Sequence, residues 1–181
     1  MKQETQVAIT RVPILLKLKK YADNRGFFVE TFSKELQKQL DLSSSHFVQD
    51  NHSYSKKGVL RGMHYQTSPG QDKLVYTLEG EIYDVVVDIR ADSPNFGKWQ
   101  GFHLDSKRGD ILFVPHGFAH GFLVLSGHAH VTYKVSSFYS ASGEKSFDPL
   151  DKTVNIDWPL KEVLLSERDQ QAPSWHQAEK L

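Results

Sequence analysis

The chain contains no cysteine. Disulfides, thiolate metal sites and cysteine nucleophiles are thereby excluded, and the lack suits a reducing compartment. Net charge is absent too: 22 Lys and Arg balance 22 Asp and Glu. No global field draws the chain toward nucleic acid or a membrane surface, although a local cationic pocket is compatible with that balance. No apolar run approaches the roughly 20 residues that span a bilayer, and the opening MKQETQ lacks the apolar stretch of a signal peptide. A cytoplasmic location is the expectation. Repeats, low-complexity tracts and Pro/Gly/Ser-rich linkers are also missing. Residues 1–181 therefore read as one domain with N- and C-terminal extensions, long enough to bury a core without staples.

What is present is mostly β pattern. One helix is expected near the N-terminus, where Ser33 caps KELQKQL and Leu36 and Leu40 lie one turn apart. From Phe47 to Tyr139, short runs rich in Val, Ile, Phe and Tyr alternate with Gly, Asp, Asn and Pro. Candidate strands are Lys73–Leu78, Glu81–Ile89, Asp110–Val114, Gly121–Leu125 and Ala129–Val135. Their connections are short and hold no helix, which predicts an antiparallel sandwich or jelly-roll barrel rather than βαβ units. The tail, with Pro149, Pro159 and Pro173, is expected to wrap the barrel as loops and short helical turns.

The densest motif is GDILFVPHGFAH, Gly109 to His120, which reads G-x5-P-x-G-x2-H. Gly109 and Asp110 make a turn, Ile111–Val114 a strand, and Pro115 and Gly117 a second turn. His120 then enters the next strand. This looks like the second motif of the cupin superfamily; the plain alternative is a hairpin with a surface histidine. Cupins usually bind a metal through His-x-His and a Glu in a first motif plus the His of the second. The matching stretch here is RGMHYQ, with His64 but Gln66 where a second His would stand, and Lys73 in the region of the acidic ligand. One imidazole beside an ammonium is a poor divalent site, so the barrel is expected without its metal.

His128-Ala129-His130 offers two imidazoles on one face of a strand. Val131, Tyr133 and Val135 alternate onto the opposite, apolar face, so both histidines should point out to solvent. Taken singly, Lys73 reads as a surface lysine and Tyr133 as a core tyrosine. Beside His64 and His120 they suggest a polar cluster inside the barrel, where an inward tyrosine hydroxyl needs a partner.

DNRGFFVET, FVQDNHSYSKKGVL, RGMHYQ, YDVVVDIRADSPNFGKW and GFAHGF occur in this order. Together they resemble the dTDP-4-dehydrorhamnose 3,5-epimerase family of the cupin superfamily, over roughly Asp23 to Pro173. The resemblance implies a catalytic base at His64, its paired carboxylate at Asp169, a catalytic acid at Tyr133, and Lys73 near the sugar carbonyl. It implies substrate contacts at His120, Glu144 and Arg168, the last where relatives often carry Lys. Arg25, Glu30, Gln49, Asn51 and Arg61 match positions that bind the nucleotide diphosphate. A homodimer with exchanged strands and no cofactor is likewise implied. Ala141 replaces a proline common after the paired aromatics Phe138 and Tyr139, and the loop between His64 and Lys73 is slightly shorter than in some relatives. Arg61 and His64 have opposite parity on an ideal strand, so a bulge at Gly62 is expected to bring both to the site.

The implied chemistry suits these side chains. Hydrogens at C3 and C5 of a 4-keto sugar are acidified by the neighbouring carbonyl. Isolated imidazole titrates at about 6.5, suited to removing such protons near neutrality. A carboxylate on its other nitrogen fixes the tautomer, a lysine can stabilise the enolate oxygen, and inversion requires an acid across the ring. No Gly-rich dinucleotide fingerprint appears. The same residues would serve a C3-only or C5-only epimerase of a related nucleotide sugar. A non-enzymatic sugar-binding cupin would not need an opposed base and acid, and a metal-dependent oxygenase would need ligands that Gln66 and Lys73 do not supply.

Overall fold

Alternation along the strands sorts this chain into two facing sheets. The structure, a computed structural model, describes residues 11–39 and 47–181. Its strands are β1 (Ile14–Lys17), β2 (Lys20–Asp23), β3 (Gly26–Val29), β4 (Gln49–Lys56), β5 (Leu60–Gln66), β6 (Lys73–Glu79) and β7 (Glu81–Asp88). They continue with β8 (Trp99–Asp105), β9 (Asp110–Val114), β10 (Phe118–Val124), β11 (His128–Val135) and β12 (Glu144–Ser146). Two short helices are α1 (Lys34–Gln39) and α2 (Glu167–Gln170). One sheet has the order β1-β9-β6-β11-β4 and the other β12-β5-β10-β7-β8, with β2-β3 as a separate hairpin. All the strand pairs are antiparallel. This is the expected jelly-roll barrel with short peripheral helices.

Between the sheets lie Val75, Ile82, Val86, Leu104, Leu112, Val114, Phe118, Phe122, Val124, Ala129 and Val131. Each occupies the inward parity of its strand, and full burial of such side chains stabilises the fold by about 1.5–3 kcal/mol apiece. The outer face of the first sheet presents Leu74, Tyr76, Ile111 and Phe113. The N-terminal segment covers these with Ile14, Leu16, Leu18, Phe32 and Leu36. Ser33 caps α1 as expected, its hydroxyl accepting from the Leu36 amide at 3.1 Å; Leu40 lies outside the described residues.

The second sheet is covered by the C-terminal tail. Phe147 and Trp175 meet edge to face at 5.1 Å and pack with Met63, Tyr65, Val85 and Val87. The last residue is tied in as well: the Leu181 amide donates to the Ile89 carbonyl at 3.0 Å. As expected, the tail wraps the barrel largely as loops, with α2 as its one helix among the described residues. Anchored on both sides of α2, it has a fixed position over β5.

Candidate active site

The same alternation that buries the core lines one end of the barrel with polar groups. On the first sheet, Lys73 shares the inward face of β6 with Val75, and Tyr133 shares that of β11 with Val131. On the second, Asp84 lies between Ile82 and Val86 on β7, and His120 between Phe118 and Phe122 on β10. Ser53, Arg61, His64, Lys73, His120, Phe122 and Tyr133 surround a cavity of about 220 Å³. Pockets for whole drug-sized ligands run from about 300 Å³ upward, so this space suits one ring with the rest of a larger ligand at the mouth.

β5 reaches the cavity through a bulge. His64 pairs with His120 but Arg61 pairs with Phe122, so β5 carries one residue more than β10 across that stretch. The extra residue re-aims Arg61 onto the face of His64. Gly62 permits it: φ is +133°, and a Cβ there would lie 2.6 Å from the Gly121 Cα. The bulge expected from the parity conflict is present.

His64 and Asp169, 105 positions apart, meet at 2.6 Å between Nε2 and Oδ1. Asp169 sits on α2, whose N-cap Ser166 accepts from the Asp169 amide at 3.1 Å. Burial pushes the Asp169 carboxyl upward. The bond and charge of His64, the Ser166 hydroxyl and the Gly62 amide outweigh it and hold the group below its ordinary value. Asp169 is thus an anion that accepts from His64 Nε2–H, and Nδ1 is the ring nitrogen outside that bond.

Across the cavity, burial raises the Tyr133 hydroxyl above its ordinary value, with Arg61 pulling it down and Glu144 pushing it up. Tyr133 therefore keeps its proton at neutral pH. Lys73 Nζ lies 3.4 Å from the His64 carbonyl oxygen. Burial pushes its ammonium down to about 8, against the pull of Asp84 and Glu144. His120 is buried rather than on a surface hairpin, and its Nε2 lies 2.9 Å from Asp84 Oδ2. Burial raises the Asp84 carboxyl, with His120 and then Lys73 drawing it back. Asp84 was not singled out from the sequence. Its signal is a carboxylate at an inward position of the apolar run YDVVVD.

The other expected positions divide into two groups. Gln49 and Asn51 lie on the inward parity of β4, where Gln49 Nε2 donates to Asn51 Oδ1 at 2.8 Å, with Asn51 directly opposite Tyr133. Arg61 Nε donates to Ser55 Oγ at 2.9 Å. At the mouth, Arg168 pairs with Glu144 at 2.9 Å, and the exposed Tyr139 hydroxyl also donates to Glu144. Arg25 and Glu30 stand apart from this cavity. Arg25 is on the β2–β3 turn, 85% exposed and paired with Asp23 at 2.5 Å, and Glu30 lines a separate groove with Leu16, Tyr21 and Phe28.

The barrel interior does not offer a cupin-type metal site. The buried ammonium of Lys73 lies between the walls, and Gln66 stands in place of a second histidine ligand. These donors do not fit a divalent ion.

Residues 7–177 match the family model described as dTDP-4-dehydrorhamnose 3,5-epimerase. A protein of that name from Shigella flexneri is 47% identical over 163 residues, 88% of this chain and 90% of its own length. Among solved structures, dTDP-6-deoxy-D-glucose-3,5-epimerase from Legionella pneumophila Philadelphia 1, in complex with dTDP-4-keto-L-rhamnose, is 44% identical. It superposes with a TM-score of 0.88 over 91% of this chain and 88% of that one. The 3'-monoepimerase ChmJ from Streptomyces bikiniensis, in complex with dTDP-quinovose, is 36% identical with a TM-score of 0.83, covering 90% of this chain and 83% of that one.

Proposed function

This chain belongs to the dTDP-4-dehydrorhamnose 3,5-epimerase family, and we propose that one acid–base pair, His64 and Tyr133, carries both of its inversions. The reaction is epimerisation at C3 and C5 of dTDP-4-dehydro-6-deoxy-D-glucose, giving dTDP-4-dehydro-L-rhamnose. The observation that carries the assignment is the placement of the two groups: His64 projects from β5 of one sheet and Tyr133 from β11 of the other. A sugar ring held between them presents one face to each.

Four steps follow from that geometry. His64 Nδ1 takes the proton from C3 or C5, and Asp169 stabilises the imidazolium through Nε2–H. The electron pair left on carbon moves into the carbonyl, making an enolate. The Lys73 ammonium stabilises the enolate oxygen, inside a cavity where fixed charge acts more strongly than in water. Tyr133 then gives its proton to the carbon from the opposite face. Asp84 holds His120 on the Lys73 side of the cavity, where the imidazole can bond the sugar. The guanidinium groups of Arg61 and Arg168 suit the diphosphate, and Gln49, Asn51 and Glu144 offer hydrogen-bonding groups to the nucleoside. The exposed aromatics Phe138 and Tyr139 offer a base a flat surface there.

A homodimer accounts for Arg25 and Glu30. Their hairpin forms a sheet of its own and exposes Tyr21, Phe27 and Phe28, and a second copy would bring it to the mouth of the neighbouring barrel. A cytoplasmic setting fits a nucleotide-sugar substrate; among the described residues no helix is long and apolar enough to cross a membrane.

Incubation of chelator-treated protein with the 4-keto substrate in heavy water tests the reaction. Product carrying one deuterium at each of C3 and C5, both inverted, is expected. Label and inversion at a single carbon would make it a mono-epimerase, and activity returning only with added metal would overturn the metal-free route.

The state of Lys73 adds a pH dependence. Its ammonium is the active form and its value is about 8, so kcat/KM should fall as pH rises through about 8, toward tenfold per unit. Lys73→Met should lower the plateau and remove that limb. A wild-type profile flat to pH 9.5 would remove Lys73 from enolate stabilisation.

A further inference from the structure

The outer face of the first sheet carries a second cluster of histidines, unrelated to the cavity. As the alternation predicts, His128 and His130 point outward while Ala129 and Val131, which alternate with them, are buried. Glu79, on β6, pairs in register with His130. His128 Nε2 lies 2.9 Å from Glu79 Oε1. Glu79, His128 and His130 each offer a ligand atom within 4.8 Å of the other two. His52 on β4 completes the patch, its Nε2 2.9 Å from His130 Nδ1.

We propose that Glu79, His128 and His130 form a surface site for a divalent transition ion of the Zn²⁺ class, with His52 as the residue that orients His130. The donor set is two imidazoles and one carboxylate, the chemistry such ions prefer. Ligands of a tetrahedral Zn²⁺ at about 2.0–2.1 Å stand roughly 3.3 Å apart. The His128–Glu79 pair, at 2.9 Å, is close to that spacing, and the remaining gaps close by rotation of side chains that are at least partly exposed. An ion entering there replaces the 2.9 Å hydrogen bond with two coordinate bonds. The contact with His52 occupies Nδ1 of His130 and leaves Nε2 for the metal, the usual outer-shell arrangement of a metal-bound imidazole. Tyr54 packs its ring 5.7 Å from His128 and 5.0 Å from His130, restricting both. Lys56, opposite His128 in the register, is the cation facing the site from β4 and weakens the affinity without blocking it, because its chain is exposed.

The test is titration of tag-free full-length protein with ZnCl₂ by calorimetry at pH 7.5. One equivalent per chain is expected, with binding weakening as pH is lowered to 5.5, because protons compete for the imidazoles. His128→Asn combined with His130→Asn should abolish that equivalent, and His52→Asn should weaken it about 10-fold. Epimerase turnover of the double variant should match wild type, which separates this site from the reaction assigned to the barrel. No binding by wild type, an equivalent that survives in the double variant, or one lost instead in His64→Ala would each overturn the proposal.

Discussion

His64→Ala should slow solvent exchange at both C3 and C5 by about 10²–10⁴-fold, the usual contribution of a positioned acid–base group. The loss should be common to both carbons, because His64 lines the cavity and is paired to a carboxylate held below its ordinary value. His120 is the poorer base: its ring is buried, and its partner Asp84 is raised by burial, where Asp169 is held below its ordinary value. The variant should fold, since the His64 side chain is 28% exposed and Asp169 keeps the Ser166 and Gly62 donors. Asp169→Asn should also slow the reaction while leaving a base, because an amide at that position no longer stabilises the imidazolium. Exchange is read by NMR in heavy water with circular dichroism as the folding control. Near-normal exchange at both carbons would remove His64 as the base; loss at one carbon alone would assign the other to a second base.

The barrel was legible in the sequence where both parities agree with burial. β6, β7, β9 and β11 match the expected runs to within a residue at either end, β9 at the same residues, and β10 overlaps its run but begins at Phe118, three residues early, because apolar inward residues alternate there with outward ones or are buried on both faces. Two of the site-lining strands, β4 and β5, were hidden for a physical reason. β4 reads QDNHSYSK, and its inward residues Gln49, Asn51, Ser53 and Ser55 are polar because they face the cavity, not the core. That removes the hydrophobic period by which a strand is recognised. In β5 the bulge breaks the period at Gly62. β1, β2 and β3 are four residues each and β12 only three, too short for alternation to show. β8, WQGFHLD, is a further miss: it faces the tail as well as the core, so its Trp99 and Phe102 fall at opposite parity.

The site divides in the same way. His64, Lys73, His120 and Tyr133 were nominated by type and position, and the structure gathers all four around one cavity. The link from His64 to Asp169 spans 105 positions and left no local pattern; only family resemblance suggested it. Asp84 could have been found by asking why a carboxylate occupies an inward position among Ile82, Val85 and Val86. Glu79 could not, because the metal-capable grouping with His128 and His130 depends on the register between β6 and β11.

The central claim is that base and acid stand on opposite faces of the sugar, and Tyr133→Phe tests it most directly. Removing the hydroxyl deletes the donor and keeps the ring that packs against the core, so the fold should lose about 1 kcal/mol or less. The base, its carboxylate and Lys73 remain, so the enolate still forms. With no proton available from the far face, the imidazolium of His64, equilibrated with solvent, returns a deuteron to the face it came from. Label and configuration at C3 and C5 are followed by NMR in one heavy-water sample. The account predicts deuterium with retained configuration in Tyr133→Phe, where wild type gives deuterium with inversion. Normal inversion at both carbons in the variant would contradict it.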